Sequence, residues 1–306
     1  MTKRPLTLEI KGNSLDDGPG IRSVIFFKGC PLSCSWCHNP ESKKREVEIS
    51  FDSEVCVGSH TCIDVCPKSA LSFDNPFFID RDSCDLCFEC VEQCPSGALE
   101  SVGHEMQVEE IVRTVVKDKP FFDSSNGGVT FSGGEPTLNM AFLAESAKGL
   151  KEQGIHVLIE TSGQFNYDKF NALVYPYVDL IYFDIKLIDK ELHRKYCGPT
   201  NTTILNNFKK LQQQYLAGGV KILPRTPLVP NITDTPGNLT AIASFYKEQG
   251  VTTTQLMAYH PMWQEKNLKL GIQSFLGENS CMDKWMPNQR VKECGETFTS
   301  MGIQVI

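Results

Sequence analysis

Short apolar runs at 22–28, 128–131, 156–160, 180–186, 220–227 and 254–260 alternate with longer segments whose apolar residues recur at helical spacing, at 108–117, 138–153, 203–215 and 238–249. This regular βα alternation predicts an α/β fold: a parallel sheet with helices outside it. Six units are fewer than the eight of a closed barrel. A partial (β/α)6 barrel is therefore expected, with an open sheet as the alternative.

One segment breaks the rhythm. From 51 to 102 there is no long helical period, and the chain carries seven cysteines. It repeats with a shift of 28 residues: Cys56 falls on Cys84, Cys62 on Cys90, Cys66 on Cys94, Pro67 on Pro95 and Ala70-Leu71 on Ala98-Leu99. A duplicated small module of this size folds around metal, because it buries too little apolar surface on its own. The expected organisation is a core in two parts, 1–50 and 103–306, with 51–102 inserted between them.

Composition narrows the function. With 306 residues, 41% hydrophobic, the chain is ordinary for a folded protein, and no run of some 18 apolar residues suits a membrane span. The start, Met1-Thr2-Lys3-Arg4-Pro5, lacks the apolar stretch of a signal peptide, so a cytoplasmic protein is expected. A net charge of −7 argues against binding nucleic acid through its phosphates. Ten of the thirteen cysteines lie between Cys30 and Cys94. In a reducing compartment such bunching points to metal ligation rather than disulfides.

The first chemical motif is Cys30-Pro-Leu-Ser-Cys34-Ser-Trp-Cys37. Three thiolates on one tight loop can hold three irons of a [4Fe–4S] cube and leave the fourth open for catalysis. A zinc knuckle, the alternative, needs a fourth ligand, and His38 is too close in sequence to close a tetrahedron. The second motif, Ser132-Gly133-Gly134-Glu135-Pro136, follows a strand, and its glycines permit close backbone approach to a ligand. The third, Asp184-Ile185-Lys186, ends the apolar run Leu180-Ile181-Tyr182-Phe183. Strand alternation puts Asp184 and Lys186 on one side, where buried charges need partners such as a zwitterionic ligand.

The ordered set Asp17-Gly18-Pro19-Gly20-Ile21-Arg22, Gly29-Cys30, Cys34 and Trp36-Cys37-His38-Asn39-Pro40 resembles the glycyl radical enzyme activating enzymes of the radical SAM superfamily, over essentially the whole chain. The resemblance implies a partial (β/α)6 radical SAM barrel. It implies that the amino and carboxylate groups of S-adenosylmethionine (SAM) chelate the open iron of the Cys30, Cys34 and Cys37 cluster. Trp36 would lie near the adenine with His38 beside it, although loop packing alone would also explain Trp36. Gly133, Gly134 and Glu135 match the turn that binds the SAM amino group, and Asp184, Ile185 and Lys186 match a SAM-binding Asp-x-Lys. His260 matches a histidine near the ribose, and Arg225 occupies the corresponding place on the fifth strand. Glu160 and Thr161 match an acid–threonine pair that, with the aspartate matching Asp184, holds a monovalent cation in the pyruvate formate-lyase-activating relative; here the acid is Glu rather than Asp.

In the insert, Cys84-x2-Cys87-x2-Cys90-x3-Cys94-Pro95 is a nearly complete bacterial ferredoxin run, in which the fourth cysteine serves the other cluster. One cube would use Cys84, Cys87, Cys90 and Cys66. The other would use Cys56, Cys62 and Cys94, with Ser59 standing where the repeat has Cys87; Ser59, His60 or no side chain completes it. Zinc is the alternative for the module. Cys197, Cys281 and Cys294 lack ligand spacing, and Cys197 reads as structural.

The implied activity is reductive cleavage of SAM to methionine and a 5′-deoxyadenosyl radical, which takes hydrogen from a backbone glycine of a partner glycyl radical enzyme. A flavodoxin or ferredoxin-type protein would donate the electron, the insert would relay electrons or dock a partner, and a monomer is expected. The alternatives are a radical SAM enzyme acting on a small molecule and an electron-transfer ferredoxin. The latter would not need Glu135, Asp184 and Lys186.

Overall fold

The computed structural model describes residues 5–273 and 281–306. In chain order the strands are β1 (Leu6–Ser14), β2 (Arg22–Phe27), β3 (Glu48–Phe51), β4 (Leu99–Val102), β5 (His104–Glu105), β6 (Gly128–Gly133), β7 (His156–Thr161), β8 (Leu180–Asp184), β9 (Lys221–Leu228), β10 (Thr253–Ala258) and β11 (Gln304–Val305). Nine of them form one sheet in the order β11-β10-β9-β8-β7-β6-β2-β1-β5. From β2 through β6, β7, β8 and β9 to β10 every pairing is parallel. These are the six strands the hydrophobic pattern predicts, and among the described residues no pairing joins the two ends of the sheet. An open, partial (β/α)6 arrangement results.

From β2 through β9 the parallel strands are mostly buried, which is why they read as continuous apolar runs; β10 is buried only at alternate positions. β1 was not foreseen. It pairs antiparallel with β2 across two irregularities and is exposed at alternate positions, so Glu9 and Lys11 interrupt its apolar signal. Helices cover the sheet with residues at helical spacing: Val108–Val115 buries Ile111 and Val115, Met140–Glu152 buries Leu143, Ala147 and Leu150, and Thr202–Leu216 buries Ile204, Phe208 and Leu211. Pro236–Glu248 begins where Thr235 caps the Asn238 amide and Pro236 stands in the first turn, where no donor is needed.

At the amino ends of the strands, Arg22 plugs the interior. Its guanidinium donates to Thr130 Oγ1 at 2.6 Å, to the Pro19 carbonyl at 3.1 Å and to the Val129 carbonyl. Burial lowers its pKa to about 10, which leaves it charged at neutral pH. A Cβ on Gly18 would lie 2.7 Å from the Arg22 side chain, so the Asp17–Arg22 motif closes the floor of the fold, away from the strands' carboxyl ends.

The cysteine-rich excursion leaves through β3 and returns through β4, which pair antiparallel with Phe51 opposite Leu99 and Glu48 opposite Val102. The neck thus begins at Glu48, ahead of the expected boundary at residue 51. Ile49, Leu71, Phe78, Ile79 and Leu99 form a small core separate from that of the main sheet. Lys28, fully buried, joins the two parts by donating to Glu48 at 2.8 Å and to the Glu41 carbonyl at 2.6 Å.

Candidate active site

The carboxyl ends of β6 to β10 meet the Cys30–Cys37 loop around a cavity of about 230 Å³. Cys30, Cys34 and Cys37 line it together with Trp36, His38, Gly133, Gly134, Glu160, Thr161, Asp184, Lys186 and Arg225. Most of the residues singled out from sequence therefore share one space.

The cysteine loop is held by main-chain bonds from both sides. Ser33 and Ser35 amides donate to the Cys197 and Tyr196 carbonyls, both at 2.9 Å, and Gly29 and Cys30 amides donate to Ser42 and Lys43. Burial pushes the Cys30 thiol up, and burial with the neighbouring Cys34 pushes Cys37 up to about 11. Cys34 moves the other way, to about 7, chiefly through a hydrogen bond from Cys197, whose own pKa rises in return. Left to themselves, buried Cys30 and Cys37 stay protonated, so ionising all three thiols needs a positive charge among them. The irons of a cluster would supply it, and a three-thiol donor set on one open loop fits a cube with a free corner.

Opposite the cysteines stands a chain of alternating charge. Arg225 donates to Glu160 at 2.6 Å and to Asp184 Oδ1 at 3.0 and 3.1 Å, and Lys186 donates to Asp184 Oδ2 at 3.0 Å. Ser132 takes up the other Glu160 oxygen at 2.6 Å. The pairing of Asp184 with Arg225 follows from register, since the two face each other across β8 and β9. Burial alone would neutralise these groups, but their partners outweigh it: Lys186 and Arg225 hold Asp184 below the usual carboxylate range, and the acids raise both bases. Arg225 has its cation role fulfilled. Lys186 has one partner among the described residues, which leaves two of its three donors for an anionic ligand group in the cavity.

The two carboxylates assigned to a monovalent cation are already bridged by the Arg225 guanidinium. The Thr161 hydroxyl is turned to Glu135 at 2.8 Å.

Three residues assigned to ligand binding stand outside the cavity wall. Glu135 is buried behind it, and its carboxylate accepts from Thr137, Thr161 and Ser162, which fastens the β6 turn to the end of β7. Ile185 lies beyond the strand end with its side chain in the core. His260 lies past the end of β10, and its ring packs 4.0 Å from that of His38 and 5.4 Å from that of Trp285. Burial, with His260 and Lys266 nearby, lowers His38 to about 4, so it is neutral at pH 7. His38 Nε2 and His260 Nδ1 are buried without partners among the described residues, as expected of groups that face a bound polar molecule.

The glycines of the β6 turn serve close approach. A Cβ on Gly134 would fall 2.2 Å from the Gly29 carbonyl oxygen, and one on Gly133 would fall 2.4 Å from the Phe27 amide. The turn can therefore lie against the backbone that leads into Cys30. Sequence reasoning missed Ser132 and Cys197. Ser132 was recoverable from its place next to the glycine turn. Cys197 was not, because only folding brings the end of helix Lys190–Cys197 to the cysteine loop.

In the insert, Cys66, Cys84, Cys87 and Cys90 line one cleft. Burial, then Cys84, Cys66 and Cys87, raises Cys90 to about 11, while burial with Cys94 and Cys56 raises Cys62. The thiols thus group four and three, as the crossed ferredoxin ligation requires.

Comparison with known proteins agrees with this geometry. The radical SAM superfamily profile matches residues 82–236, a 4Fe-4S single cluster domain matches 16–69, and a 4Fe-4S dicluster domain matches 48–95. The isethionate sulfite-lyase activating enzyme of Nitratidesulfovibrio vulgaris is 35% identical over 279 residues, covering 89% of this chain and 90% of that one. The chain belongs to the radical SAM superfamily, among the glycyl radical enzyme activating enzymes. Two more relatives are similar over most of the activating enzyme's length. The trans-4-hydroxy-L-proline dehydratase activating enzyme of Clostridioides difficile is 37% identical, covering 87% of this chain and 88% of that one. The (2S)-3-sulfopropanediol dehydratase activating enzyme of Klebsiella oxytoca is 33% identical, covering 98% and 96%.

Proposed function

We propose that this activating enzyme cleaves SAM at a cluster held by Cys30, Cys34 and Cys37, and directs the resulting 5′-deoxyadenosyl radical to a backbone glycine of a partner glycyl radical enzyme. The observation that carries the reading is one cavity bounded by the three-cysteine loop on one side and the Glu160–Arg225–Asp184–Lys186 chain on the other. When bound, the cluster supplies one electron to the SAM sulfonium, giving methionine and the radical. The protein's part is binding and exclusion. Lys186 offers its free donors to the SAM carboxylate, and Arg225 keeps Glu160 and Asp184 charged and in place. Trp36 and His38 present flat faces to the nucleoside, and the enclosing strands keep water from the radical. A glycine suits the reaction because no side chain obstructs its α-carbon. We place two further cubes in the 48–102 module, at the four-thiol and three-thiol groups, and a flavodoxin or ferredoxin-type donor in the cytoplasm as the source of electrons.

Anaerobically reconstituted protein given dithionite and SAM should release 5′-deoxyadenosine, and Cys34→Ala should abolish that release. With the matching partner present, a stable organic radical should appear on the partner by electron paramagnetic resonance. Normal turnover by Cys34→Ala would remove the active site from this loop. A radical formed on a small molecule with no partner present would favour the small-molecule reading instead.

A further inference from the structure

The two cluster sites of the insert are not equivalent. The 28-residue repeat is carried into the backbone. Gly58 and Leu86, His60 and Phe88, and Ser69 and Gly97 all take positive φ, with values of 66° and 58°, 60° and 66°, and 50° and 70°. The short helices Thr61–Asp64 and Glu89–Glu92 coincide under the same shift. So do the amide bonds that close them: Ile63 to His60 and Val91 to Phe88, both 2.9 Å, and Cys66 to Ile63 at 3.2 Å and Cys94 to Val91 at 3.3 Å. Burial repeats as well, with Cys62 and Cys90 buried and Ser59 and Cys87 exposed. Ser59 therefore stands on the same backbone geometry as Cys87, a lining residue of the four-thiol cleft. His60 does not fill the gap. It occupies the place of Phe88, and its ring packs against Phe73 with centroids 5.0 Å apart. The Ser59 hydroxyl has no partner among the described residues.

Resting on the reading of the insert as a two-cluster module, we propose that the cube of Cys56, Cys62 and Cys94 has an open, solvent-facing iron at the Ser59 corner, which takes an exchangeable soft donor such as a small thiol. A hydroxyl reaches less far than a thiol and holds its proton more tightly, so Ser59 leaves this iron to solvent. The cube of Cys66, Cys84, Cys87 and Cys90 has no such corner.

The test is iron retention and electron paramagnetic resonance in full-length reconstituted protein treated with ferricyanide. At an open corner one electron passes to ferricyanide and one ferrous ion leaves. Three ferric ions remain on the three thiolates as a [3Fe–4S] cluster with its own signal. The active-site cube responds alike in every variant, so the difference between variants reports the insert. Wild type should lose about one iron per chain more than Ser59→Cys, in which a fourth thiolate closes the cube. 2-Mercaptoethanol added without ferricyanide to dithionite-reduced protein should change the reduced-cluster signal of wild type beyond any change seen in Ser59→Cys. Ser59→Ala should behave as wild type. Equal loss from wild type and Ser59→Cys overturns the open corner. Greater loss from Ser59→Ala than from wild type also overturns it, by making Ser59 itself the ligand. No such difference between wild type and Ser59→Cys overturns the proposed ligand class. A reconstituted content of about four irons per chain, rather than about twelve at four per cube, would instead sink the two-cluster reading beneath it.

Discussion

At the scale of single residues, the site holds one cation paired with two carboxylates, Arg225, and one paired with a single carboxylate, Lys186. Arg225 is buried against two carboxylates, and its removal leaves both without their shared partner. Arg225→Ala should cost about 3–5 kcal/mol of stability, as breaking a buried ion pair does, and chemical denaturation of the variant measures it. Lys186→Ala removes a second cation from the same chain, yet Asp184 keeps its bonds to Arg225. This variant should fold, and its affinity for SAM should fall about ten- to hundredfold, the equivalent of one charge-assisted hydrogen bond of about 1.5–3 kcal/mol. Equilibrium binding on folded protein checks the split; unchanged affinity would return Lys186 to a structural role. Glu135 teaches the complementary lesson. A carboxylate in a glycine-rich turn at a strand end looks like a ligand, but its oxygens are consumed in tying two strand ends together.

At the scale of elements, the chemistry depends on how closely two turns approach. The β6 turn bonds back to the end of β2 through Gly134 to Phe27 at 2.8 Å and Glu135 to Gly29 at 2.9 Å. Gly134→Ala would set a Cβ against the Gly29 carbonyl, a backbone atom that cannot rotate away. The expected result is a loss of about 1–3 kcal/mol, as for overpacking elsewhere, with the cysteine loop displaced. Iron loading at the active site should fall while the insert keeps its own. Cluster content by absorbance, read beside melting temperature, distinguishes this from global unfolding. Gly154 and Gly218, with open space around them, should accept alanine at the cost of backbone strain alone, because both have positive φ.

At the scale of the whole molecule, the insert is a graft on a two-stranded neck. Because Phe51 faces Leu99 and the Asp52 amide donates to the Ala98 carbonyl at 2.8 Å, residues 53–97 can be replaced by a two-residue Asn-Gly hairpin turn. Lys28–Glu48 and the 2.6 Å Lys269–Asp52 pair would remain to anchor the neck. The shortened protein should fold with about four irons, one cube, and should still release 5′-deoxyadenosine with dithionite. With a protein electron donor the rate should drop if the insert relays electrons. An insoluble or iron-free product would show that the insert is needed to build the core.

The amino-acid sequence by itself determined what depends on local order and donor type. The spacing of Cys30, Cys34 and Cys37 defines a three-thiol loop, the 28-residue repeat defines a doubled module with Ser59 where its second copy has Cys87, and apolar periodicity picks out the six parallel strands. Each of these signals lies within one short stretch or recurs along the chain. Only tertiary structure decided which side chains of that inventory face the ligand. Glu135 and Ile185 stand next in sequence to cavity residues, yet the Glu135 carboxylate bonds to Thr137, Thr161 and Ser162 and the Ile185 side chain lies in the core. Cys197 reaches the cysteine loop from far along the chain, and Arg225 bridges Glu160 and Asp184 because strand register sets it opposite Asp184. β1 escaped notice for the same reason: a half-exposed stretch of alternating charge becomes a strand only when β2 and β5 are there to pair with it.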